Sequence, residues 1–290
     1  MATILTLKRR MQAAQNVCKA TKAMQMIAAS KLKRAQEAAI STRPYVNALD
    51  SITKKVVSTL DKGAYHDNPY LQIRSGTGKT LLIILAPDKG LCGGLISGLI
   101  HKYAQYKKTN EKDIYTIVVG KKVEGNIARL SEKKVIASFN FGTTTPVIDI
   151  IQPIMKIINE YYLSSKVDNV IVLYAQFKSF FSQVPTIVPL LPISLPVENV
   201  GKKPSSPYLF EPGAEEILPV LILHHIEMSL YHFFLESFVS EQASRMIAMQ
   251  NATSNAKEVT EDLRLEYNKT RQAKITNELL DITGARMAAV

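Results

Sequence analysis

The chain has 290 residues, with 36 Lys and Arg against 25 Asp and Glu, a net charge of +11. Apolar residues make up 46% and charged residues 21%, which is the balance of a folded protein and excludes global disorder. Thirteen Gly and thirteen Pro exclude collagen-like repeats, and two cysteines, Cys18 and Cys92, exclude a disulfide scaffold or a multi-cysteine zinc finger. No apolar region followed by a small-residue cleavage site stands at the N-terminus, so no secretory signal is expected. The charge is polarised. Residues 1–60 carry eleven Lys/Arg against Glu37 and Asp50, a net of +9, whereas residues 211–290 carry seven Lys/Arg against twelve acids, a net of −5. Two ends of opposite sign attract each other or face different partners.

The first segment, about 1–60, has no Gly and one Pro, Pro44. Small and apolar residues recur at Ile4, Leu7, Met11, Ala14, Cys18 and Thr21, then at Ala28, Leu32, Ala35 and Ala39. Steps of three and four predict a helix with a coiled-coil-like seam, continuing through Val46, Leu49, Ile52 and Val56, with a kink or local break at Pro44. Residues 61–78 read as a linker. The segment 79–200 then alternates apolar runs with helical patterns: strands at 81–86, 115–120, 135–139, 169–177 and 184–188, and helices at 95–106, 121–130 and 147–162. That alternation predicts a small, mostly parallel, Rossmann-like α/β domain. Ser179 to Val197 carries no charge, but Pro185, Pro189, Pro192 and Pro196 exclude a simple membrane-spanning helix and leave irregular or edge strands. After a second linker at 201–216, residues 217–290 form another long helix, with Gly284 as its stop and Met246, Met249, Thr253, Ala256, Val259 (or Thr260), Leu263, Tyr267 and Thr270 as its stripe.

A helix of sixty to seventy residues is roughly 90–105 Å long, whereas a compact globule of this size is roughly 50 Å across. The terminal helices therefore protrude, and they bury their stripes most simply on each other, as an antiparallel coiled coil, left-handed if the heptad spacing holds. The alanines between Ala23 and Ala39 permit a thin shaft but bury little apolar area, so the shaft gains from being sheathed by other proteins.

Candidate chemistry is sparse. Ser75-Gly76-Thr77-Gly78-Lys79-Thr80 resembles a phosphate loop, but Ile73 stands where the first Gly belongs and the strand follows rather than precedes it. Gly90-Leu91-Cys92-Gly93-Gly94 follows a strand and opens a helix, yet lacks the dinucleotide spacing and its acidic partner, leaving tight-turn glycines. His224, His225 and His232 have no nearby cysteine to complete a metal set, and Cys18 lies on the apolar stripe as a small packing residue. The basic first helix has no aromatics before Tyr45 and no recognition pattern for nucleic acid. The residues alone point to a coiled-coil shaft with an α/β body that touches other proteins. The rivals are a basic coiled-coil nucleic-acid-binding protein and a free-standing α/β enzyme.

Several separated motifs are specific. Thr21-Lys22-Ala23-Met24-Gln25-Met26-Ile27-Ala28-Ala29-Ser30-Lys31-Leu32 closely resembles the N-terminal helix of the gamma subunit of rotary F-type ATP synthases. Asp88-Lys89-Gly90-Leu91-Cys92-Gly93-Gly94-Leu95, Ser182-Gln183-Val184-Pro185-Thr186-Ile187 and Tyr208-Leu209-Phe210-Glu211-Pro212 are similar to that family's mid-chain motifs. The resemblance is strongest in Ser240-Glu241-Gln242-Ala243-Ser244-Arg245-Met246-Ile247-Ala248-Met249, and in the run from Tyr267 to Leu279. The motifs keep their order over nearly the whole chain. Departures are Pro87 and Lys89 around the turn, and Arg286 near an end that is usually more apolar.

The resemblance implies a central rotor. The coiled coil enters a hexamer of alpha and beta subunits, the body joins the epsilon subunit to the membrane c-ring, and proton flow turns ring and shaft together. The catalytic sites lie on beta, so no catalytic residue, metal or cofactor is expected here. Lys22, Met24, Arg245, Arg271, Gln272 and Thr276 match the family's coupling region and are its candidate contacts to alpha and beta. For Met24 ordinary seam packing is the competing role, and for Arg245 and Arg271 a solvated face. With neither a presequence nor the dithiol insertion of plastid members, the expected setting is the cytoplasmic side of a bacterial inner membrane, reached only through partners.

Overall fold

The computed structural model describes residues 3–59, 68–72, 74, 78–110, 113–132, 134–193 and 210–288. Most of the two expected linkers lies outside these residues, as do Ser75-Gly76-Thr77 and Tyr208-Leu209 of the motifs above. The chain forms two compact units, Met1–Ala28 with Arg245–Val290, and Ala29–Ser244. Helix α1, Ile4–Thr59, and the last helix each contribute to both units.

The larger unit is built on a five-stranded sheet. Its strands are β1 (Thr80–Leu85), β2 (Ile114–Val119), β3 (Val135–Phe139), β4 (Asn169–Ser179) and β5 (Ser182–Leu191), in the order β3-β2-β1-β4-β5. The first four are parallel and β5 pairs antiparallel to β4. All six residues of β1 are buried, as its unbroken apolar run requires of a central strand covered on both faces. Between the strands lie α2 (Leu95–Thr109), α3 (Lys121–Leu130) and α4 (Gln152–Leu163). The expected helix over 147–162 is split, because a 3-10 turn at Ile148–Ile150 precedes α4.

Alternation along the strands sorts the two faces. Leu82 and Ile84 of β1, Val118 of β2 and Leu173 of β4 pack with Leu99 and Tyr103 of α2 and Val123 and Ile127 of α3. The other face meets α4, where Tyr115 touches Tyr161, and the last helix, α5 (Ala214–Ala288), where Phe233 lies 4.9 Å from Tyr174 between ring centroids. Gly120 turns β2 into α3 with φ 112°, and a Cβ there would lie 1.9 Å from the Ala86 carbonyl oxygen, so no other residue fits. The uncharged proline-bearing stretch becomes β5, an edge strand. Pro185 and Pro189 sit opposite Ala175 and Ile171, and an edge tolerates their missing donors.

The long helices depart from expectation in three places. Pro44 lies inside an unbroken α1, but beyond it the buried residues are Leu49, Thr53, Val56 and Val57, while Ile52 is 45% exposed. The covered positions Ala35, Ala39, Thr42, Val46, Leu49, Thr53 and Val56 alternate steps of four and three straight through Pro44, so the step from Leu49 is four, to Thr53, rather than three, to Ile52. The last helix starts at Ala214, ahead of the expected start, with Pro219 in its second turn, and it runs through Gly284 to Ala288 instead of stopping. Third, α5 is apolar and long enough to pass for a membrane span by composition, which the charge pattern did not flag. Its Leu218, Ile222, Ile226, Leu230, Phe234 and Phe238 are buried, which makes this a core helix of the larger unit.

Candidate functional site

In the smaller unit the two helices run antiparallel on a narrow seam. Leu7, Ala28, Met249, Thr253 and Ala256 are its buried residues, with Met11, Ala14, Cys18, Thr21, Thr260, Leu263, Tyr267 and Thr270 half-buried. Val259 is exposed, so Thr260 holds the stripe position. The seam centre is polar. The Thr253 and Thr21 hydroxyls are 2.8 Å apart, and the Cys18 thiol donates to the Thr253 carbonyl at 3.9 Å. Cys18 is therefore a small packing residue with a weak hydrogen bond.

All six candidate contact residues belong to this unit. Lys22 is exposed and donates to the Gln25 side-chain oxygen at 3.2 Å. Met24 is 42% exposed, which removes seam packing as its role. Arg245 is half-buried, while Arg271, Gln272 and Thr276 are exposed. The Thr276 hydroxyl donates to the Gln272 carbonyl at 3.0 Å, so the two stand one turn apart on one face.

The position of the last three has a simple cause. With equal rise on both helices, the Thr21–Thr253 contact puts Ile4, where α1 begins, level with about Thr270. Beyond that point α5 has no partner helix among the described residues, and every residue from Arg271 to Thr283 is exposed. This exposed stretch, Arg271 to Thr283, is on the order of 20 Å long. It carries an apolar ridge of Ile275, Leu279 and Ile282, exposed by 44–65% and spaced four and three apart, with Gln272 and Thr276 beside it. Met26 and Ile27 on α1 are also large and exposed. The ridge was not among the sequence candidates. Its signal was there, in large apolar residues beyond the end of the stripe. The side chain of Arg286 lies outside the described residues.

In the larger unit the glycine-rich turn leads into α2 through Gly94, and the Asp88 just ahead of it reaches a different helix. The N-terminus of that helix is answered from within, since the Asp88 carboxylate accepts from the Lys121 N–H at 3.0 Å, the first residue of α3. It also accepts from the Phe141 and Gly142 N–H groups, at 3.2 and 2.8 Å. Those donors would otherwise form an anion site. Cys92 is buried, and its carbonyl accepts from Ser244 of α5 at 2.6 Å.

The histidines do not form a metal set, and no group of metal-ligating side chains occurs among the described residues. His224 is half-buried and pairs with the Tyr45 hydroxyl at 2.6 Å. His225 and His232 have buried Nδ1 atoms without a partner, and burial holds both below the ordinary histidine value. Asp50 opposes that shift at His225 and Glu236 opposes it at His232, while Lys54 and Arg43 add to it.

The comparisons with known proteins agree with this arrangement. The family model described as ATP synthase matches residues 3–289. The ATP synthase gamma chain of Dehalococcoides mccartyi is 37% identical over 288 residues, covering 99% of both chains. That of Roseiflexus castenholzii is 34% identical over 291 residues, again covering 99% of both. Among solved structures, a chain of the Euglena gracilis mitochondrial ATP synthase shares the fold with a TM-score of 0.67 and 18% identity, over 98% of this chain and 94% of that one. A chain of the Tetrahymena thermophila central stalk and c-ring structure has a TM-score of 0.61 and 24% identity, over 80% and 98%. With a narrow helical pair, an unpartnered helix end and full-length relatives that carry one name, this chain belongs to the ATP synthase gamma-chain family.

Proposed function

We propose that this chain is the central rotor shaft of a bacterial F-type ATP synthase. Its helical pair turns inside the hexamer of alpha and beta subunits, and its α/β body joins the epsilon subunit to the c-ring. Catalysis belongs to the beta subunits, so this chain supplies geometry and no reacting group. It reaches the cytoplasmic face of the inner membrane through its partners. The observation that carries the reading is the match to gamma chains along 99% of the sequence. The basic first helix then has a protein partner in acidic beta loops, and the nucleic-acid reading is set aside.

The mechanism follows from asymmetry. One shaft with a single polar face meets three chemically identical beta subunits in three orientations, so each subunit feels a different contact. Only a contact that differs between conformations shifts their populations. Lys22, Met24, Arg245, Arg271, Gln272 and Thr276 supply the grip, and the exposed ridge on the end of α5 gives an apolar surface free of fixed hydrogen bonds for turning.

Cross-linking mass spectrometry on washed native membranes tests the placement. The expected result is links from the terminal helices to alpha and beta, and from the body to epsilon or the ring. A chain absent from that complex would sink the reading. For the grip, Gln272→Leu combined with Thr276→Val is expected to weaken ATP-driven proton pumping while assembly is kept, and unchanged pumping would refute those two roles.

A further inference from the structure

Asp88 stands in the Pro87-Asp88-Lys89-Gly90 turn after β1, where an aspartate ordinarily bonds backbone groups next to it. Here its carboxylate bonds N–H groups 33, 53 and 54 residues away in sequence. They come from two other connections, the start of α3 and the loop after β3. An ionised acceptor shared by three backbone donors is among the stronger links a surface turn can make.

The loop after β3 and the loop after β1 that carries Asp88 itself are each held by a long helix. In the loop after β3, the Thr143 carbonyl accepts from Lys31 of α1 at 2.6 Å, and Phe141 stacks on Phe234 and Phe238 of α5 with centroids 5.5 and 6.3 Å away. In the loop after β1, the Cys92 carbonyl accepts from Ser244 of α5. Lys31 and Ser244 are placed at the limits of the larger unit, which runs from Ala29 to Ser244. Within the larger unit both helices are therefore fastened to loops at one end of the sheet, and Asp88 is the bond between the two fastenings.

Resting on the rotor reading, we propose that Asp88 is the positioning residue of a torque joint, locking the loops that fasten α1 and α5 to the sheet so that rotation of the body is delivered to both helices together. It touches no nucleotide and acts through Lys31, Phe141 and Ser244. Asn at position 88 keeps the shape but presents an NH₂ to one of three donors, so at least one link is lost.

The test uses the assembled complex in inverted membrane vesicles, comparing wild type with Asp88→Asn, Ser244→Ala and Lys31→Met. ATP hydrolysis and ATP-driven proton uptake are measured together, with and without an opposing proton gradient. The expected result is assembly and near-normal hydrolysis without load, with protons moved per ATP falling by roughly half under load in Asp88→Asn and by less in the other two, since each leaves the remaining fastenings in place. A merely structural role lowers the amount of complex but not protons per ATP, and that result overturns the proposal. If Asp88→Asn does not assemble, Ser244→Ala decides, because it leaves Asp88 intact, and an unchanged ratio under load overturns the joint. Failure of the wild-type chain to co-purify with alpha and beta overturns the rotor reading and this proposal together, which separates that failure from failure of the joint alone.

Discussion

β1 and the first turns of α1 are both rich in apolar side chains, yet they end in different environments. Every residue of β1 is buried between two helical layers. In α1 up to Ala28, only Leu7 and Ala28 are buried, and Leu5, Val17, Met26 and Ile27 are more than half exposed. The body holds its shape through a packed core, where each methylene removed from water contributes about 0.8 kcal/mol. The helical pair holds together through a thin seam in which small and hydroxyl-bearing residues outnumber large ones such as Leu7 and Met249, and it leaves Leu5, Val17, Met26 and Ile27 outside. The same alphabet makes a rigid body in one unit and an outward-facing surface in the other.

The contrast can be broken at its strongest point first. Gly120→Ala puts a Cβ into the Ala86 carbonyl at a positive φ, and is expected to cost upward of about 3 kcal/mol or prevent folding. Denaturant unfolding of the full chain measures it. Phe234→Ala removes a fully buried ring stacked on Phe141 and is expected to cost about 3–5 kcal/mol by the same measurement. In the seam, Thr253→Val deletes a hydroxyl shared with Thr21 and is expected to cost only about 1 kcal/mol. A loss as large as that of Phe234→Ala would mean that the seam is as tightly determined as the core.

Protonation gives a gentler probe of the body. His225 and His232 are depressed below their ordinary value of 6.5, chiefly by burial. The folded state therefore binds fewer protons than the unfolded one, and their contribution to stability is full above that value. It is lost as pH falls below it, down to the depressed folded values. The urea midpoint is expected to drop between about pH 7.5 and pH 5.5, and to drop less when both are replaced by Gln. The smallest stability effect belongs to Gln272→Leu with Thr276→Val, within about 0.5 kcal/mol, because both side chains are exposed.

Much of this was legible from periodicity. The order of long helix, α/β domain and long helix, and the Thr21 and Thr253 seam positions, follow from spacings of three, four and two. The errors are local and physical. Two successive steps of three put Ile52 in the seam, where the regular alternation of three and four leads from Leu49 to Thr53, a hydroxyl that an apolar stripe passes over. Gly284 was read as a stop, but one glycine inside a long helix costs only about 1 kcal/mol. The Asp88 network was invisible, since its donors lie in two other connections that only the folded sheet brings to the turn after β1. Met24 could be assigned outside the seam only once the partner helix was in place.

The unbroken length of α5 has one more consequence. A helix that runs from Ala214 to Ala288 without a loop passes an applied twist along its axis. Where α1 lies beside it, two helices share that twist. Past Thr270 α5 carries it alone. Along the described part of α5, one helix alone yields more readily to a twist than two side by side, so elastic strain would concentrate beyond Thr270.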